Sequence, residues 1–123
     1  SSYIAIGMSR EAFWGVTENH HLYRVKYIDR KLSFDGEAVL TTKGLASVAA
    51  SSPDGAWLIV GNDLGELIIV QLGALSLKDL IADRHHGKIT AIAWIDNSKV
   101  ITAARDGLLI AWEVVAGRLV EQY

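Results

Sequence analysis

Two stretches decide how this chain is read: Leu58-Ile59-Val60-Gly61-Asn62-Asp63-Leu64-Gly65-Glu66-Leu67-Ile68-Ile69-Val70 and Val100-Ile101-Thr102-Ala103-Ala104-Arg105-Asp106-Gly107-Leu108-Leu109-Ile110-Ala111-Trp112. Residue 58 falls on residue 100, and at that shift of 42 strand matches strand and turn matches turn. The upstream turn around Ser52-Pro53-Asp54-Gly55-Ala56 is one residue longer than the one around Asp96-Asn97-Ser98, so Ala49 falls on Ile92 at a shift of 43. A fainter third copy, Phe13 to Val25, follows the same plan at a shift of 45, preceded by Tyr3 to Met8 and the turn Ser9-Arg10-Glu11. A fixed period of this size marks a repeat architecture. Three units follow, about 1–43, 44–86 and 87–123, each of four short strands within a single domain spanning 1–123.

The remaining apolar runs agree. Tyr3 to Ile6, Trp57 to Val60, Leu67 to Val70, Ile89 to Trp94, Val100 to Thr102 and Leu108 to Trp112 are short and rich in β-branched or aromatic residues. Several are apolar at consecutive positions, which requires both faces of those strands to be covered. Ala74 to Ile81 begins with strand alternation but also sets Leu77, Leu80 and Ile81 at helical spacing; it is read as an outer strand running into a turn. Proline occurs once and glycine 11 times, a balance that suits many tight turns.

These residues resemble the WD-repeat β-propellers. His85-His86-Gly87-Lys88-Ile89 is similar to the family's His-x-Gly-x-Val opening of an innermost strand, and Ser52-Pro53-Asp54-Gly55 to its Ser-Pro-Asp-Gly turn. Asp106 resembles the family's turn aspartate, and Trp112-Glu113 its closing Trp-Asp, with Glu113 in place of the aspartate. The likeness covers residues 44–123 through motifs and 1–43 through periodicity alone. It implies an all-β fold of propeller-type four-stranded antiparallel blades, three per chain. It also implies a structural tetrad of His85, Thr102, Asp106 and Trp112, in which imidazole, hydroxyl, carboxylate and indole satisfy one another from core to surface. At the matching positions unit two has Val60, Leu64 and Val70, read as apolar packing in place of the network, and unit one has Gly15, Asn19 and Val25.

Each candidate site also has a plain structural reading. His85 and His86 could ligate a metal, but neighbours on a strand point in opposite directions and no His-Glu-x-x-His motif or carboxylate cluster supports them. His20 and His21 sit in the tight turn of unit one and read as solvated. On a propeller both pairs would emerge on one rim, one blade apart, which leaves a strained shared ligand as the alternative. The possible partner-binding rim comprises His20, His21, Asp63, His86 and Arg105. Trp57 and Trp94 could anchor a partner or fill the space between units.

Composition limits the function. With 123 residues, 50% of them hydrophobic, including 12 Ile, 10 Val and 14 Leu, the chain has enough apolar surface to fold as one domain. Twelve basic against 14 acidic residues leave a formal charge of -2, and the units carry about +1, -3 and 0, so no basic stripe exists for nucleic acid. There is no cysteine, hence no disulfide, thiolate zinc site or cysteine nucleophile. No Gly-x-Ser-x-Gly elbow, P-loop or Gly-x-Gly-x-x-Gly stretch appears, and carboxylates are scattered singly. No cofactor is implied. The apolar runs are too short to span a bilayer, which suggests an intracellular, cytoplasmic protein, and the opening Ser1-Ser2 suggests a processed or excised chain.

The expected function is a non-catalytic protein–protein interaction scaffold with a protein or peptide partner; the alternative is a small-molecule or metal-dependent enzyme using the rim histidines. Propellers close with four to eight blades, so three leave two faces open. If each exposes about 400–500 Å² of apolar surface, leaving it wet forgoes on the order of 10 kcal/mol. Completion by further copies of the chain or by another propeller chain is therefore expected.

Overall fold

The computed structural model describes residues 2–9 and 12–122. Twelve strands follow one another along the chain: β1 (Tyr3–Ser9), β2 (Ala12–Thr17), β3 (His21–Ile28), β4 (Lys31–Val39), β5 (Ala46–Ser51), β6 (Trp57–Asn62), β7 (Leu67–Gln71), β8 (Ser76–Ile81), β9 (Ile89–Trp94), β10 (Lys99–Ala104), β11 (Leu109–Val115) and β12 (Arg118–Glu121). They form three four-stranded sheets in the orders β1-β2-β3-β4, β5-β6-β7-β8 and β9-β10-β11-β12, with every pairing antiparallel. Among the described residues there is no helix, and so none long and apolar enough to cross a membrane. Of the expected turn Ser9-Arg10-Glu11, Arg10 and Glu11 lie outside the described residues. The ambiguous stretch 74–81 resolves as the outer strand β8, whose approach turns at Leu75 with φ 51°.

The second sheet shows why consecutive positions are apolar. Side chains along a strand alternate between faces. Leu58, Val60, Ile68 and Val70 meet Trp14, Val16 and Leu22 of the first sheet, while Ile59, Leu67 and Ile69 meet Ile89, Val100, Ile110, Trp112 and Leu119 of the third. Full burial of each such aliphatic side chain contributes about 1.5–3 kcal/mol. The first strand of each sheet abuts that of the next, so β1, β5 and β9 lie side by side along one edge of the stack.

Polar bonds cross both seams. Ser47 donates to the Ile89 carbonyl at 2.7 Å, and the Trp94 indole N–H to the Ala50 carbonyl at 3.0 Å. The Asn97 side chain accepts from the Asp54 N–H at 2.8 Å, and Arg84 holds Glu121 through two nitrogens at 2.5 and 2.9 Å. Trp94 is thus an element of the seam, and Trp57, half-buried, packs on the same core. Between the first two sheets, Arg24 donates to the carbonyls of Leu72 and Gly73 at 3.0 and 2.7 Å and pairs with Asp35 at 2.9 Å.

The outer faces of the first and third sheets are uncovered. Ile6, Met8, Leu32 and Phe34 stand exposed on one, and Ala91, Ala93, Leu109 and Val120 on the other. Double coverage, expected for the strands that are apolar at consecutive positions, is thus complete only in the second sheet.

Candidate functional site

The turns that carry the candidate residues lie at one end of the sheets, between the second and third strands and before each first strand. In the third sheet four side chains form one hydrogen-bonded chain. The Trp112 indole N–H donates to Thr102 Oγ1 at 2.9 Å, Thr102 Oγ1 lies 2.8 Å from His85 Nε2, and His85 Nδ1 lies 3.1 Å from Asp106 Oδ2. An ionised carboxylate only accepts, so the neutral imidazole carries its proton on Nδ1 and takes the Thr102 hydroxyl proton at Nε2. Every donor then has one acceptor. Trp112, Thr102 and His85 are buried, so the chain runs from core to rim.

Asp106 also closes its own turn, accepting from the His86 N–H at 2.9 Å and, through its other oxygen, from the Leu108 N–H at 2.9 Å. Burial would raise its pKa, but those two backbone donors and the His85 ring outweigh it and hold the carboxyl down at about 2. Both ring nitrogens of His85 are engaged, which leaves it no lone pair for a metal ion.

The second sheet carries a different polar cluster. Val60 and Val70 are buried apolar residues, but Leu64 is 54% exposed and so does not replace a network by packing. Instead the buried Asn62 donates through Nδ2 to Glu66 Oε1 at 2.7 Å and to Thr42 Oγ1 at 3.2 Å, while the Thr42 hydroxyl bonds Glu66. Asn62 Oδ1 in turn accepts from the N–H groups of Leu64 and Glu66. Asp63 is exposed, and its carboxylate accepts from the Leu45 N–H at 2.8 Å, clasping the segment that enters the sheet. The signal in the sequence was Asn62 three positions before the turn glycine Gly65, a residue type that bonds the backbone just beyond it.

The first sheet separates its two histidines. His21 is half-buried, with Nδ1 3.4 Å from the Tyr23 hydroxyl. His20 is not a solvated rim residue: it is 1% exposed, enclosed between the first and second sheets. It has φ 64°, and the turn positions aligned with it are Gly65 at 86° and Gly107 at 82°. The left-handed region is natural for glycine and unusual for a residue with a Cβ. His86 and Arg105 are exposed beside the Asp106 turn. The structure therefore gathers His86 and Arg105, keeps Asp63 and His21 on other sheets, and takes His20 inside. Among the described residues no three histidine or acidic side chains converge on a possible metal position.

At the opposite end, an open groove of roughly 700 Å³ between the first and second sheets is lined by Phe13, Trp14, Arg24, Tyr27, Asp54 and Leu72. The guanidinium there is already committed to Asp35 and two carbonyls.

The C-terminal WD40 domain of Sif2 superimposes with a TM-score of 0.73 at 17% identity, over 96% of this chain and 38% of that one. The RRP9 WD40 repeats do so with a TM-score of 0.83 at 12% identity, over 98% and 38%. The fold is that of the WD40 β-propeller. A structure of the mitotic checkpoint complex contains a further match, with a TM-score of 0.74 at 16% identity, over 94% of this chain and 34% of that one. No protein-family model matches the sequence, and no curated protein does. The three sheets are three WD40-type blades, and the chain spans 34–38% of the length of these three matched chains. The tetrad of His85, Thr102, Asp106 and Trp112 belongs to the third blade, and the Thr42–Asn62–Glu66 cluster stands at the junction of the first two.

Proposed function

We propose that the chain is a non-catalytic protein–protein interaction scaffold, a three-blade unit completed into a closed propeller by further copies of itself or by another chain. The observation that carries this reading is the pair of uncovered blade faces. Ile6 is 76% exposed and Phe34 66% on one, and Leu109 is 75% exposed on the other, whereas Leu67, the inner-blade residue aligned with Leu109, is fully buried. Tyr3, Tyr23 and Phe34 add a ring cluster to the first face, with centroids 6.1 and 5.6 Å apart and the second pair edge to face. Aromatic groups so placed are what partner surfaces anchor on. The matched chain in a mitotic checkpoint complex supports assembly work for the fold.

The rim presents His86, Arg105 and Asp63 for a protein or peptide ligand. An enzyme built on the rim histidines finds less support, because His85 is held by Asp106 and Thr102 and His20 is enclosed. Phe34→Glu and Leu109→Glu each place a charge on an open face without touching a seam. Each is expected to weaken self-association about tenfold or more in sedimentation equilibrium. Association unchanged in both variants would contradict the proposal.

A further inference from the structure

His20 is a buried base held at a joint. Among the described residues, the enclosed side-chain polar atoms that lack a hydrogen-bond partner are Trp14 Nε1 and both ring nitrogens of His20. Its turn is tied to the segment that joins the first two blades: the Leu40 N–H donates to the His20 carbonyl at 2.9 Å, and the Ala46 N–H to the Glu18 carbonyl at 2.7 Å. Leu40 and Ala46 bracket the segment that leaves the first blade and enters the second. In the other two blades this turn position is glycine, with no side chain to place in the junction.

We propose that the junction of the first and second blades is an acid-sensitive joint, closed while His20 is neutral and loosened when its enclosed imidazole takes up a proton. An imidazolium carries two N–H donors; neither ring nitrogen is hydrogen-bonded in the closed joint, and the Gly44 backbone approaches the ring as an acceptor for only one of them. The groups that face it from the second blade are Glu66 and Asp63. Glu66 already accepts from Asn62 and Thr42, and Asp63 accepts from the Leu45 N–H. The connecting segment offers the Gly44 backbone, with Lys43 exposed beside it, and the turn itself carries an exposed Glu18.

Burial is the largest influence and lowers the His20 pKa below 6.5; Glu66, the Gly44 backbone and Asp63 pull it upward without prevailing. The unfolded or opened state therefore binds the proton more readily than the closed one. The stabilisation is complete above the ordinary histidine value of 6.5 and is lost as the pH falls from there to the folded-state value. Asp106, with its pKa at about 2, stays ionised throughout that window and does not contribute to the effect.

Hydrogen exchange read at single amides tests the joint. Between about pH 7.5 and about pH 5.5, protection of Leu40 and Ala46, normalised to the intrinsic rate, is expected to fall roughly tenfold. Ile59 and Ile69, in the middle of the second blade, keep theirs. His20→Asn tolerates the left-handed turn and cannot ionise, so in that variant the fall disappears. A fall that persists in H20N, or none in the native protein, overturns the proposal. Should H20N not fold, an imidazole NMR titration of the native chain decides. His20 must titrate below 6.5, and the loss of protection at Leu40 must run from 6.5 down to its midpoint; titration without that loss overturns the proposal equally.

Discussion

Thr102→Val is expected to lower unfolding stability by about 2–4 kcal/mol, because it strands two buried groups at once. Valine keeps the shape of threonine but removes the oxygen that accepts from the Trp112 indole and donates to His85 Nε2. Thr102 is fully buried, so no solvent replaces the lost partner. Thr102→Ser retains the hydroxyl and forfeits one methyl, which places it within about 1.5 kcal/mol of the native protein. The comparison is made by denaturant unfolding followed through tryptophan fluorescence. Equal midpoints for the valine and serine variants would show that the tetrad does not hold the third blade.

Ile69→Ala is expected to have the largest effect of any single truncation named here, about 3–5 kcal/mol. Ile69 is fully buried among Ile59, Leu67, Ile89, Val100 and Trp112, where rigid sheets on both sides limit collapse around the cavity. Calorimetry should show a fall in midpoint of roughly 10 °C or more. Leu109→Ala removes a larger group than a single methylene, yet from a side chain 75% exposed, and in the isolated chain it should cost no more than about 0.5 kcal/mol. A Leu109→Ala loss matching that of Ile69→Ala would mean that the open face is covered in solution already.

How much of this was legible in the sequence depended on which physical signal each element carries. β6 and β7 announce themselves because burial on both faces demands unbroken apolar runs, and β9, β10 and β11 because their apolar runs and turns repeat that pattern at one spacing. β4 and β12 carry no such run: Lys31–Val39 is exposed at most positions, and the Phe34-Asp35-Gly36 stretch hides its alternation behind a register shift at Arg24/Val25. The tetrad was readable through a resemblance, since His85 and Trp112 are far apart in sequence and only a known blade brings them together.

The Thr42–Asn62–Glu66 cluster was missed for a different reason. Its members do not align with the tetrad positions, and the aligned residues Val60, Leu64 and Val70 suggested simple packing. His20 was misread because a turn histidine is ordinarily solvated. What the one-chain reading lacked was the next blade, whose Gly44 segment closes over the ring. Its alignment with Gly65 and Gly107 was the available clue that this turn is unusual.

The two open faces are tested most directly by the solution mass of the purified chain. Light scattering coupled to size exclusion, over about a tenfold range of concentration, should give a stable two- or three-copy mass, the six or nine blades that close a ring. Aggregation that a second propeller chain relieves would agree with completion by a partner. A folded, soluble monomer at every concentration would contradict the claim, because two wet apolar faces would then carry no drive to be covered.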